Sequence, residues 1–346
     1  MKRSGRGLAW WQVGLMALTT GMTMALCVCL GSVSIPLGET LETIGLALLG
    51  RPQQGQTASI VLSIRLPRVL CTALVGASLA LCGGAMQGLL RNPLADGSTM
   101  GVSSGAALGA VVAMMLGLSF PGFALGATVA LAMLFAFVSL ILILSFTYLL
   151  DSSLSTNTII LTGVIFSMFA SSMMSLLITF SGDKLKSITF WTMGSLAGSS
   201  YENALVLAVA LLACGALLLG LSRELNAFAV GEDHARHLGV NVRGVKLAVL
   251  GAVSVLIGVS VSIGGTIGFV GLVVPHILRM ITGPNHARLL PATLFGGATF
   301  LCLSDLCGRM ILRPIELPIG VITSLVGSAV FAVVFYRTRR AGQGSC

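Results

Sequence analysis

Charge is what this sequence has least of. Asp, Glu, Lys and Arg together make up 9% of its 346 residues, where a soluble domain carries about 25%. Such a chain cannot present a solvated surface all round, so an ordinary water-soluble globule is excluded and lipid is the expected solvent. Acidic residues are the scarcest, 11 against 20 Lys and Arg. The net charge of +9 does not point to nucleic acid, because basic residues beside membrane spans set topology and meet anionic headgroups. Ligand motifs are missing as well. The eight cysteines form no C-x-x-C pair, and most sit in apolar runs as small hydrophobes. There is no G-x-x-x-x-G-K-[ST], and the dipeptide Gly-Lys does not occur, so the chain has no P-loop of its own. H-E-x-x-H is absent, and His234 and His237 stand alone in a charged loop. The expectation is a protein with no catalytic residues, no metal ligands and no directly bound cofactor.

What is abundant is apolar length. A membrane-spanning helix needs about 20 mostly apolar residues. Runs of that kind cover 8–33, 69–90, 98–118, 122–150, 157–182, 203–222, 245–263, 287–304 and 317–336. A shorter piece, 267–278, follows Gly264, Gly265 and Gly268 and contains Pro275, which suggests a short or broken span. The expected fold is therefore all-α and polytopic, with about ten transmembrane helices in one domain over residues 1–346. The first run exceeds the roughly 7–15 residues of a signal peptide's apolar region and reads as a retained span. Ten spans place both termini on one side. Loops on that side carry 13 of the 20 Lys and Arg, so both termini are expected to be cytoplasmic.

A charge at the bilayer centre costs at least about 2.5–3.5 kcal/mol. Nearly all the acidic residues accordingly fall in predicted loops. Asp305 is the one placed within a helix, and Arg309 at i+4 shares its face, the spacing of an ion pair. Helix interiors almost free of titratable groups count against an ion-coupled secondary transporter, the alternative of another class, because such proteins carry ionisable groups or unwound helices at mid-membrane. Glycine is plentiful at 43 residues. Gly101, Gly105 and Gly109 lie on one helix face, and small residues allow helices to approach closely in lipid.

Several polar motifs interrupt the runs. Arg65-Leu66-Pro67-Arg68 opens a helix, with Pro67 suited to a first turn. Its arginines are either interfacial anchors or a docking patch for an acidic partner. Asn92-Pro93-Leu94-Ala95 forms a polar turn, and Gly268-Phe-Val-Gly-Leu-Val-Val-Pro-His-Ile-Leu-Arg279 and Glu316-Leu-Pro-Ile-Gly320 follow. The segment 226–239 reads as a short surface helix. Glu232 and Asp233 lie near its N-terminal end and Arg236 and His237 near its C-terminal end, as the helix dipole favours. Gly239 suits the residue after the C-cap, while Phe228, Ala235 and Leu238 offer an apolar face for a partner's groove.

In this order, from about residue 10 to 338, these motifs closely resemble the permease subunits of type II ABC importers for iron–siderophore complexes, haem and cobalamin. The resemblance implies ten helices per subunit and a transport role without enzymatic activity. It also implies a homodimer, or a heterodimer with a paralogous permease, in a bacterial cytoplasmic (inner) membrane. Two ABC ATPase subunits would use ATP and Mg on one side, and a periplasmic or lipid-anchored binding protein would deliver cargo on the other. Gly231, Glu232, Ala235, Leu238 and Gly239 match the family's ATPase-coupling core. Arg65, Arg68 and Arg309 match arginines that receive acidic residues of the binding protein. Asn92, Pro93 and Leu94, with Ser155 and Thr156, match cytoplasmic gate elements. A ferric siderophore is the favoured cargo, with cobalamin and haem as alternatives. His276 belongs to the common motif and does not discriminate among them.

Overall fold

A computed structural model describes residues 7–50, 55–118, 126–152 and 154–343. Of the basic residues weighed for topology, Lys2, Arg3, Arg6 and Arg51 lie outside them. Among the described residues there are helices and no strands. That is the solution lipid enforces on an open chain, because a helix satisfies its own backbone donors and acceptors.

Helix α1 (Trp10–Cys29) and the shorter α2 (Leu37–Leu48) come first. One continuous helical run follows, made of α3 (Gln56–Ala58), a π-helical stretch (Ser59–Arg65) and α4 (Leu66–Leu89). Then come α5 (Val102–Leu116), α6 (Gly126–Leu150), α7 (Thr156–Thr179), α8 (Leu185–Thr192) and α9 (Tyr201–Gly220). Two small helices, α10 (Ser222–Val230) and α11 (Glu232–His237), precede α12 (Val242–Gly264), α13 (Val270–Thr282), α14 (His286–Met310) and α15 (Ile319–Gln343). Side-chain caps start several of them. Ser155, Ser200, Asn241 and Asn285 each accept a backbone N–H from the first turn of α7, α9, α12 and α14, filling donors that helix geometry leaves unpaired.

Seven helical segments are long and apolar enough to cross a membrane, and α5, α13 and the apolar part of α15 are shorter apolar helices. These ten coincide with the ten runs read from the sequence. Two details differ. The second span begins at Gln56 rather than near 69, because the segment carrying Arg65 and Arg68 is helical too. Helices α2 and α8 lie where the sequence suggests only loops.

The centre of the bundle is α4, α12 and α14, whose apolar windows are mostly buried, whereas α1, α6, α7 and α9 bury 28% or less of theirs. Glycine sets the closest crossings. A Cβ on Gly76 would stand 2.3 Å from the Gly297 carbonyl oxygen, and one on Gly297 would stand 2.2 Å from that of Gly76. The Gly101–Gly105–Gly109 face works similarly. Cβ atoms on Gly105 and Gly109 would fall 2.5 Å from Ser139 Oγ and from the Leu131 carbonyl oxygen of α6.

Chain direction separates two ends. The start of α4 and the end of α14 meet at one end, where Arg68 and Arg309 share Asp305. The start of α14 lies at the other, beside α10, through the His286–Asn226 contacts.

Candidate coupling and docking sites

At the first end the three arginines expected to face a partner are turned inward. Arg65, Arg68 and Arg309 are 5%, 7% and 3% exposed. Helix α1 explains two of them. Its last carbonyls have no partner within the helix and carry the negative end of its dipole. Arg65 Nη1 donates to the carbonyls of Val28 (3.0 Å) and Cys29 (2.9 Å), and Nη2 donates to Val33. Arg309 Nη1 and Nη2 donate to Leu30 (3.1 Å) and Cys27 (3.2 Å).

Arg68 is held by acids. Its Nε and Nη2 reach Asp305 Oδ1 at 3.1 and 2.8 Å, and its Nη1 reaches Glu316 Oε2 at 2.7 Å. Asp305 Oδ2 lies 2.9 Å from Arg309 Nε. The i+4 pair expected from the sequence is therefore present, as half of a larger network that also joins the Arg65–Arg68 motif to the Glu316–Gly320 motif. Burying a lone carboxylate would be costly, and two guanidinium groups on Asp305 offset that cost. Lys184, Lys186 and Arg313 are exposed.

At the opposite end the segment expected to meet the ATPase is two helices broken at Gly231, not one. The stop at Gly239 is as expected. Its φ is +81°, and the bonds Gly239 N to Arg236 O (2.9 Å) and Val240 N to Ala235 O (3.0 Å) form a Schellman closure. The apolar face is not as expected. Phe228 and Ala235 are fully buried and pack into the core, while Val230 (68% exposed) and Leu238 (64%) point outward. The 3.6-residue period puts Phe228 and Ala235 on one side of the segment, and tertiary packing decides that the bundle covers that side.

Glu232 also turns inward. Its Oε2 lies 2.8 Å from Lys246 Nζ in α12, and its Oε1 accepts from Thr156 Oγ1 at 3.3 Å. Thr156 opens α7, and Ser155 caps that helix. Asp151 Oδ2 accepts from Ser155 N at 3.1 Å and from Thr158 Oγ1 at 3.3 Å. The second expected gate element is a turn closed by Asn92 Oδ1, which accepts the Leu94 N–H at 2.9 Å. Neighbouring Arg91 approaches the break between α10 and α11, its Nη1 3.8 Å from where a Cβ on Gly231 would stand. The fold thus brings Thr156, and Arg91 beside the Asn92 turn, to the start of α11.

Two further residues at this end are not evident from sequence patterns. Asn226 of α10 donates from Nδ2 to Asn285 Oδ1 at 2.9 Å, and its Oδ1 accepts the His286 backbone N–H at 2.8 Å and lies 2.9 Å from His286 Nδ1. Lys246, 1% exposed, reads in sequence as one more loop cation.

Many apolar helices around a glycine-crossed centre, with buried ion-pair networks at both ends, define a polytopic membrane protein. The chain matches the FecCD transport family over residues 18–337, and it belongs to that family. Members are permease subunits of ABC importers, transport components rather than enzymes, and the family implies ATPase and binding-protein partners. The chain is 47% identical over 288 residues to an uncharacterized ABC transporter permease, YvrB, of Bacillus subtilis, covering 82% of this chain and 81% of the relative. It is 38% identical to the molybdate import system permease MolB of Haemophilus influenzae, covering 95% and 96%. It is 37% identical to the vitamin B12 import system permease BtuC of Klebsiella pneumoniae, covering 96% and 95%. Among solved structures, an inward-facing ABC transporter, provisionally described as of the metal-chelate type, superposes with a TM-score of 0.82 at 35% identity, covering 94% of this chain and 99% of that one.

Proposed function

We propose that this chain forms the translocation pathway for a metal chelate delivered by an extracytoplasmic binding protein, with a ferric siderophore as the first cargo to test. The observation that carries the reading is the hydrogen bond of Thr156 to Glu232, which on this reading would link the ATPase-facing segment directly to a gate element. Both termini and α10–α11 would face the cytoplasm, as the distribution of Lys and Arg favours. The arginine end would then face the binding protein. Of the two ATPase subunits, one would bind at Val230 and Leu238 of this chain, the outward apolar residues of the segment, and the other at a second permease copy.

A second permease copy, or a paralogue, would complete the pathway. Asn157, Leu161, Met168, Ser171 and Ser175 follow a helical repeat and are all exposed on α7. Lipid alone gives no reason for the polar members of such a stripe, whereas a shared pathway does. Docking is proposed to work by exchange. Glu316 is the more exposed partner of Arg68, with 32% of its side chain accessible, so an acidic residue of the binding protein would replace it on that guanidinium.

The relatives are named for chemically different cargoes, molybdate and vitamin B12, so the binding protein is expected to carry most of the selectivity. Proteoliposomes holding this chain, its ATPase and its binding protein test the reading. They would be offered labelled ferric siderophore, haem, cobalamin and molybdate, with and without ATP. ATP-dependent accumulation of one probe, abolished by Glu232→Arg, is expected. Flux that needs no ATP, or that follows a proton gradient, would return the chain to the ion-coupled class.

A further inference from the structure

We infer that Lys246 is a positioning residue for transport, a buried clamp that carries movement of the ATPase-facing segment to the start of α7. Three pieces of chain converge on its ammonium. Nζ lies 2.8 Å from Glu232 Oε2 at the start of α11 and donates to the Leu154 carbonyl in the α6–α7 turn, also at 2.8 Å. Its own stem rises from the first turns of α12. Glu232 closes the triangle through Thr156. An ammonium offers three donors, and two of them here hold separate segments together.

Packing makes this polar knot mechanically important. Helix α7 packs chiefly on α5 and α6, while α11 packs chiefly on α10 and α12. Helices α7 and α11 share little packing of their own, so Glu232, Thr156 and Lys246 supply the direct link between them, while α12 packs broadly on α5 and α6. Leu154 has the left-handed φ of +54° and is 2% exposed. A β-carbon disfavours that conformation, so the tertiary surroundings must hold it, and the Lys246 bond is part of them. Arg243, one turn before Lys246, stacks 5.0 Å above the Tyr148 ring near the end of α6, which ties the same helix start to the other side of the turn.

A simple structural ion pair would need only Glu232 and Lys246. The bond to the turn is what predicts a loss of coupling. The inference rests on the importer reading above, and one preparation separates the two. Wild-type, Lys246→Met and Lys246→Met/Glu232→Gln permeases are assembled with the ATPase and binding protein in proteoliposomes. Uptake of the probe that the wild type accumulates is then divided by ATP hydrolysed. The double variant removes the charge left unpaired in the single one, so it guards against misfolding. An assembled variant that hydrolyses ATP but imports roughly tenfold less per ATP supports the clamp, the scale typical of coupling between sites. Uptake per ATP within about twofold of wild type overturns it. So does failure of both variants to assemble, which would make the pair purely structural. If the wild type itself shows no ATP-driven uptake, the importer reading fails instead.

Discussion

Gly76 of α4 and Gly297 of α14 occupy each other's missing side chains, each backbone carbonyl standing where the other's Cβ would be, at 2.3 and 2.2 Å. Apolar side chains gain little by leaving lipid for a neighbouring helix, so close backbone packing has to drive association. Gly76→Val is therefore expected to force the two central helices apart. Overpacking of this kind costs about 1–3 kcal/mol or more. Yield of monodisperse protein in detergent and its melting temperature would both drop, while Gly251→Val, where no atom lies within 4 Å, would leave them near wild type.

The two acids on Arg68 are expected to behave differently. Asp305 is 2% exposed and touches two arginines, and breaking a buried ion pair costs about 3–5 kcal/mol. Asp305→Asn should accordingly lower thermal stability strongly. Glu316→Gln should spare stability and raise affinity for the binding protein by several-fold at low salt, since it weakens the internal competitor for Arg68. Titration of the binding protein against nanodisc-embedded permease at two ionic strengths reads both effects. Unchanged or weaker binding by Glu316→Gln would remove the exchange model of docking.

Asn226 is expected to fasten α10 to the start of α14. Asn226→Ala removes the partner of His286 N and Nδ1 and one of the donors to Asn285 Oδ1, which keeps the Ala287 N–H, and leaving a buried polar group unmatched costs about 1–3 kcal/mol. Faster backbone hydrogen exchange confined to 222–239 and 285–290 is the expected signature. Exchange equal to wild type there would show that apolar packing of Leu225 and Phe228 suffices.

Leu238 offers the contrasting case. Being 64% exposed, it can be changed without disturbing the core, and surface changes usually stay within about 0.5 kcal/mol. Leu238→Glu should leave the melting temperature unchanged and sharply reduce co-purification of the ATPase. Full recovery of ATPase with this variant would move the contact elsewhere on the segment.

Much of the fold is legible in the sequence because lipid imposes a simple rule. A run near 20 apolar residues must be a helix, so the ten apolar segments, the break around Gly264–Pro275 and the stop at Gly239 can all be read directly. The Asp305–Arg309 pair is legible for a similar reason, since i+4 spacing fixes a shared face. Phe228 and Ala235 show the limit. Their period marks a face, but the direction of that face depends on α4, α12 and α14, which are remote in sequence.

Composition and the length of the apolar runs by themselves determined that this protein lives in a membrane and is all helix; its motif order pointed to the family and, through the family, to an ATPase partner. Only the tertiary structure decided which glycines touch, that Arg65, Arg68 and Arg309 are buried rather than displayed, and that Lys246 joins Glu232 to the α6–α7 turn. The physical reason is separation along the chain. Hydrophobicity and helical period are properties of neighbours and leave a trace in any window of the sequence. A hydrogen bond between Lys246 and Leu154, or a crossing of Gly76 with Gly297, exists only after distant helices have chosen each other, and no local pattern records that choice.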